Sequence, residues 1–279
     1  MAARRTIVRY PGAAEFLGAA EAWLLAAEAD NNIVLSVARL LLSDDHPFRE
    51  PVYVAAANEG ERIVGCALCA PPDGLDLTDM PAGFAALLVD SVAMLHPRLA
   101  LVSGPQPPVV EFARAWARER GGEWQVRHRA TLMLIERVQP PRPTSGRLRN
   151  ATAEDWPTLT DWAQRFAREL NSTVDMSVVF ARLLRRQSIY VWDDGGPKCV
   201  VGVSGVTPNG RRISAAYTPE QFRERGYASN AVAAVSRQVL DAGKRCLLFA
   251  ERETPAPLKI YQNIGYIAMR EQIAIELNL

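Results

Sequence analysis

The sequence predicts a mixed α/β protein made of one domain used twice. Three observations carry this. The second half reads, in order, as β-α-α-β-β-β-α-β-α-β-β, which places strands and helices in one alternating fold. Val52–Leu68 and Ile189–Gly205 each read as a strand, a polar turn and a second strand, and Tyr53 to Gly65 and Tyr190 to Gly202 are both 12 positions apart. Between the halves runs "VQPPRPTSGR", Val138 to Arg147, a stiff polar stretch that divides the 279 residues almost evenly. The expected organisation is a first domain over 1–138, a linker over 139–146 and a second domain over 147–279.

The elements follow in chain order. The segment from Ala13 to Asn32 reads as an amphipathic helix with Phe16, Ala20, Trp23, Leu24 and Ala27 on one side. Glu15, Glu21 and Glu28 interrupt its apolar run, so it does not read as a signal peptide. After the first hairpin, residues 73–98 contain a helix, and "LALVSGPQPPVVEFARAWAR" gives a strand, a proline-containing loop and a helix. The second half opens on the short strand "GRLRNAT". The helix "AEDWPTLTDWAQRFAREL" follows, with Thr152 placed as N-cap and Asp155 three residues on, close to a capping box. "MSVVFARLLRRQ" is a second helix. "SIYVW" and "CVVGVSGV" pair across "DDGGP", and "RRISAAY" is a further strand. A helix from Tyr227 ends at Gly243, "CLLFA" is a strand and "LKIYQNI" a short helix. Each half is expected to close on a hairpin, over "GEWQVRHRATLMLIE" in the first and over "YIAM" and "QIAIEL" in the second.

Composition excludes several classes of function. With 48% apolar and 23% charged residues and a net charge of +1, no global field draws the chain to nucleic acid or to an anionic membrane. No stretch is long and apolar enough to span a bilayer, so a cytoplasmic protein with no membrane or nucleic-acid partner is expected, monomeric or homodimeric. Cys66, Cys69, Cys199 and Cys246 sit in apolar runs and read as buried thiols. "CALC" has C-x-x-C spacing, but in a strand its two cysteines face opposite ways, so no metal is expected. His46, His96 and His128 are scattered. The basic clusters at 185–187 and 210–212 lack interleaved aromatics, and Trp156, Trp162 and Phe166 fall at helical spacing and read as core.

One stretch stands apart. "FRERGYASNA", 222–231, lies where "RRISAAY" hands over to a helix, and the first half has no counterpart to it. A glycine ahead of a helix presents unpaired N–H groups and the positive end of the helix dipole, a site suited to phosphate. Gly226 permits a left-handed turn, Ala228 adds no bulk, and Arg223 and Arg225 supply charge. Read alone, the stretch fits equally a solvated turn whose arginines pair with Glu220 and Glu224.

With its surroundings, "AYTPEQFRERGYASNAV" and "KIYQNIGY" resemble the GNAT superfamily of N-acetyltransferases. The fragment fits R-x-x-G-x-A at Arg223, Gly226 and Ala228. The resemblance covers 188–270 well, 147–187 less closely, and the first half only in layout. It implies tandem GNAT-like domains, each a mixed, mostly antiparallel sheet with flanking helices and a splayed parallel pair, the first degenerate. It also implies acetyl-CoA as cosubstrate and an amine as acceptor, joined by direct attack of the amine on the thioester. The main chain of Ser214, Ala215, Ala216 and Tyr217 would pair with the pantetheine arm. Arg223, Glu224, Arg225, Gly226, Tyr227, Ala228 and Ser229 would hold the pyrophosphate, and Tyr261 would be the acid that protonates the leaving thiolate. Two positions depart from the family pattern: Thr254 stands where the family often has Asn, and Pro257 where a small Ser or Ala is usual. No carboxylate lies on "RRISAAY". Glu251 and Glu253 are the candidate bases, and both read more readily as ordinary solvated loop charges. The alternative is a non-catalytic acyl-CoA-binding or regulatory module.

Overall fold

The computed structural model describes residues 3–44, 46–72, 74–170, 174–252 and 255–278. The first part of the chain forms β1 (Arg5–Arg9), α1 (Ala13–Ala26), α2 (Asn32–Leu40), β2 (Tyr53–Glu59), β3 (Arg62–Cys69), β4 (Leu75–Leu77), α3 (Val89–Leu95), β5 (Leu101–Pro105), α4 (Gln106–Arg120) and β6 (Glu123–Ile135). The second forms β7 (Arg147–Asn150), α5 (Trp156–Glu169), α6 (Met176–Arg185), β8 (Ile189–Asp193), β9 (Pro197–Ser204), β10 (Gly210–Tyr217), α7 (Tyr227–Asp241), β11 (Arg245–Glu251), α8 (Pro255–Asn263) and β12 (Ile267–Asn278). The capping box forms as the sequence suggests: the Thr152 N–H donates to Asp155 Oδ2 at 2.7 Å.

Two compact units result, and each draws on both halves of the chain. One comprises Met1–Leu132, Glu251–Glu253 and Met269–Leu279; the other comprises Met133–Ala250 and Thr254–Ala268. In the first unit β1, β2, β3 and β4 pair antiparallel in succession. β4 then runs parallel to β5, and β5 antiparallel to β12. The second unit repeats the scheme: β7, β8, β9 and β10 pair antiparallel, and β10 runs parallel to β11.

Each sheet is covered on both faces, so its inner strands are apolar throughout rather than alternating. In the first unit Val54, Ala56, Cys66 and Leu68 pack under α1 and α2, while Ala55, Ala57, Ala67 and Cys69 pack under α3 and α4. Cys66 and Cys69 therefore lie on opposite faces of β3, too far turned from each other to share a metal. In the second unit Val191, Val200, Ala215 and Tyr217 face α5 and α6, and Cys199, Val201, Ile213 and Leu248 face α7.

Two expectations change. The closing hairpins are not hairpins: β6 and β12 are each a single long strand. Neither "WQVRHRATLMLI" nor "AMREQIAIEL" contains a Gly, Pro or Asn at which the chain could reverse, and the polar residues in their middles are exposed or half-buried, except Gln272, which is buried. The short helix α8 starts at Pro255 rather than Leu258, because prolines fit the first turn, where no N–H is needed. Among the described residues no helix is long and apolar enough to cross a membrane.

Candidate active site

The site is built around the parallel step of the second unit. β10 and β11 pair from Gly210↔Arg245 to Ile213↔Leu248, and there the pairing stops. Both strands run on, β10 to Tyr217 and β11 to Glu251, so Ala215 to Tyr217 keep β9 on one side and, among the described residues, pair with no strand on the other. A bulge accompanies the parting: the β9 register shifts between Ile213 and Ala215. The extra residue, Ser214, is exposed, and it inverts the alternation beyond it. Ile213 faces α7, yet Ala215 and Tyr217 face α5 and α6, while Ala216 packs toward α7.

The loop after β10 delivers the chain into α7. Gly226 is its N-cap, with φ of 81° and ψ of 1°, and Glu224 also has a positive φ of 62°. A Cβ on Gly226 would meet nothing nearer than Asn230 Nδ2 at 3.5 Å, so the demand for glycine comes from the backbone conformation, not from crowding. Among the described residues no acceptor meets the N–H groups of residues 224–229. The Gly226 carbonyl is engaged instead, by Asn230 N at 3.0 Å and Asn230 Nδ2 at 2.9 Å. The result is a run of open donors at the positive end of a 15-residue helix.

Side chains around the loop divide in function. Tyr227 points away and donates to Asp194 Oδ2 at 2.7 Å, which ties the first turn of α7 to the β8–β9 turn. That bond is also the main cause holding the Tyr227 hydroxyl above its ordinary range, while the Asp194 carboxyl is held below its own first by the Ser145 hydroxyl and then by Tyr227. Arg225 is exposed, and its carbonyl accepts from Thr144 Oγ1 at 2.9 Å. Arg223 is engaged: its guanidinium meets both Glu169 oxygens at 2.7 Å, and its Nε donates to the Thr218 carbonyl at 2.9 Å.

Tyr261 lies on α8 and packs on the α7 face, against the same cluster as Ala216, Tyr227 and Ala228. Its ring meets Tyr266 edge-on, with centroids 6.0 Å apart. Burial, aided by the nearby Cys199, pushes its hydroxyl up to about 12, so it stays protonated at any physiological pH. The sequence-derived residues 214–217, 223–229 and Tyr261 thus all belong to one unit. Glu251, at the end of β11, is partly exposed. Glu253 and Thr254 lie outside the described residues.

Sequence reasoning missed four contributors. Glu169, the last residue of α5, joins Arg223 to Tyr217, whose hydroxyl donates to Glu169 Oε1 at 3.2 Å. These groups open on a cavity of about 410 Å³ lined by Arg165, Arg168, Glu169, Tyr217 and Glu220. Arg142 and Thr144, in the stretch read as a linker, lie on the loop: the Arg142 carbonyl accepts from Asn230 Nδ2 at 2.9 Å. Only Asn230 could have been suspected, since it falls one helical turn after the N-cap glycine.

A four-strand antiparallel meander that ends in a splayed parallel pair, with an open glycine-led helix start beside it, is a distinctive layout. Residues 205–275 match the sequence model of a family described as FR47-like protein. Solved structures match over nearly the whole chain. A Drosophila protein aligns with 97% of this chain and 98% of its own, at a TM-score of 0.71 and 14% identity. A tandem GNAT protein from the clavulanic acid biosynthesis pathway aligns with 99% of this chain and 98% of its own, at a TM-score of 0.59 and 14% identity. The fold of the chain is the GNAT fold of these structures. A GCN5-related N-acetyltransferase from Sphaerobacter thermophilus aligns with 98% of this chain and 96% of its own, at 0.60 and 16% identity. No curated protein matches the sequence. The GNAT fold is present in tandem, and the splayed pair and open loop described above belong to its second unit.

Proposed function

We propose that the chain is an acetyl-CoA-dependent N-acetyltransferase whose chemistry takes place in the second unit. The observation that carries this reading is the parting of β10 from β11 directly beside the open N–H groups of residues 224–229. An extended pantetheine arm has the form needed to pair with the free edge of Ser214 to Tyr217, as an added strand does. A diphosphate would take the N–H groups ahead of α7, with Arg225 and a released Arg223 as charged helpers.

The acceptor amine would enter by the cavity at Tyr217 and Glu169. Its lone pair attacks the thioester carbonyl, and backbone N–H groups on the free edge of β10 stabilise the oxyanion that forms. As the C–S bond breaks, Tyr261 gives its proton to the departing thiolate, and the proton shed by the amine returns through solvent. A hydroxyl held near 12 suits an acid that must remain protonated until the thiolate appears.

The second reading is a module that binds acyl-CoA without turnover. It draws support from β10, which carries no carboxylate to act as base. Calorimetry with acetyl-CoA, alongside CoA release measured with a panel of amines, separates the two. Binding together with amine-dependent release is expected. Binding without release, hydrolysis included, would make the chain a binding module.

A further inference from the structure

The first unit holds a larger cavity than the second, about 880 Å³, and nothing in the proposed reaction uses it. It lies at the carboxyl ends of the parallel pair β4 and β5, the position at which α/β sheets receive ligands. One face of α4 forms its wall, with Val110, Glu111, Arg114 and Arg118 on successive turns. Ala82, Ala86, Pro107 and Ala115 make the rest of the lining largely apolar.

The charges decide what fits. Six charged side chains reach the cavity, and four are satisfied within the unit. Glu111 accepts from the N–H groups of Gly83 and Ala86, each at 2.9 Å. Arg270 pairs with Asp79 at 2.7 Å and with Asp30 at 3.1 Å. Glu271 pairs with Arg252. Arg114 meets no acceptor among the described residues, and Arg118 pairs only with the adjacent Glu119, at the rim. Two arginines one turn apart on one helix face repel each other, and a shared oxyanion relieves that repulsion. A diphosphate has no place here, because the backbone donors at the start of the helical turn are already taken by Glu111.

We propose that this cavity binds a small organic oxyanion, a carboxylate or phosphate on a short apolar body, with the head group between Arg114 and Arg118. The test is calorimetry on the full chain at constant ionic strength, with hexanoate, hexyl phosphate and 1-hexanol as probes of equal body. One or both anions should bind at least tenfold more tightly than hexanol, and the preferred anion names the head group. Arg114→Gln combined with Arg118→Gln should weaken the anions tenfold or more and leave acetyl-CoA affinity within twofold. Gly226→Asp, in the second unit, should leave anion binding unchanged. Both arginines are exposed, and an unaltered melting curve verifies that the double variant folds. Three outcomes would overturn the proposal: hexanol binding as tightly as the anions, anion binding that survives the double substitution, or anion binding lost in Gly226→Asp.

Discussion

The loops that leave the fourth strand of each unit begin from the same topology and end differently. In both, a strand hands over to a helix and leaves backbone donors without an intrahelical partner. In the first unit these donors meet a carboxylate from within the chain: Glu111 on α4 bridges Gly83 and Ala86. In the second unit the donors of residues 224–229 stay open, and the glycine that shapes them sits in a left-handed conformation with room around it. A helix start of this kind calls for negative charge either way. The difference lies in who supplies it: a side chain closes the first loop and makes it structural, whereas in the proposed reading the second takes an anion from outside.

The largest test of this contrast is Gly226→Asp against its counterpart. In the second unit the new carboxylate should occupy the donors as Glu111 does in the first. Loss of two charge-assisted hydrogen bonds, about 3 kcal/mol together, weakens acetyl-CoA roughly a hundredfold or more. Gly83→Asp, which clashes with Arg5 and is strained at φ of 89°, should lower thermal stability but leave acetyl-CoA affinity within twofold. If calorimetry finds the two variants alike, the loops do not differ as described.

Next comes Tyr261→Phe, which should lower kcat by about a hundredfold, within the usual worth of a positioned general acid. Acetyl-CoA affinity should hold, because the ring and its contact with Tyr266 remain. The pH profile carries a sign. Burial raises the hydroxyl to about 12, so ionisation of Tyr261 produces no descending limb of kcat between pH 7 and 10. A fall centred near 10 would mean that the acid is an ordinary exposed tyrosine.

The third test closes the comparison from the other side. Glu111→Gln keeps one acceptor oxygen and turns an amide NH₂ toward the second N–H. About 2 kcal/mol of stability should be lost from the first unit, read as a drop of some 4 °C in its thermal midpoint. Acetyl-CoA should still bind once per chain. A stoichiometry of two, in either form of the protein, would show that the first loop also receives the cosubstrate.

Much of this was legible in the sequence where chemistry is local. The Tyr53–Gly65 and Tyr190–Gly202 spacing revealed the repeat, and the turn "RERG" before a run of small residues marked the α7 start. Long-range partners were not legible. Nothing near Glu111 signals that it reaches back over twenty-five residues to two backbone donors, since a glutamate on a helix face ordinarily looks to water. The same holds for Thr144, which reaches Arg225 from a stretch whose composition says only that it is stiff and polar. β12 gave no sign that it serves the first unit, because the pattern of a strand states its faces and not its neighbour.

Glu169 provides the finest test, because it bears on whether the open loop is fully ready. One Arg223 nitrogen, Nη2, reaches both of its oxygens, yet both side chains are nearly half exposed, at 43% and 47%. Such a pair contributes no more than about 1 kcal/mol and weakens with salt. It nevertheless holds one of the two arginines away from the donors ahead of α7. Glu169→Gln should free Arg223 to meet the pyrophosphate and tighten acetyl-CoA two- to fivefold at low salt, the gain shrinking as salt is raised. Arg223→Ala should cancel that gain in the double variant. If Glu169→Gln instead weakens acetyl-CoA, the pair orders the loop, and the carboxylate belongs to the cosubstrate site as a support.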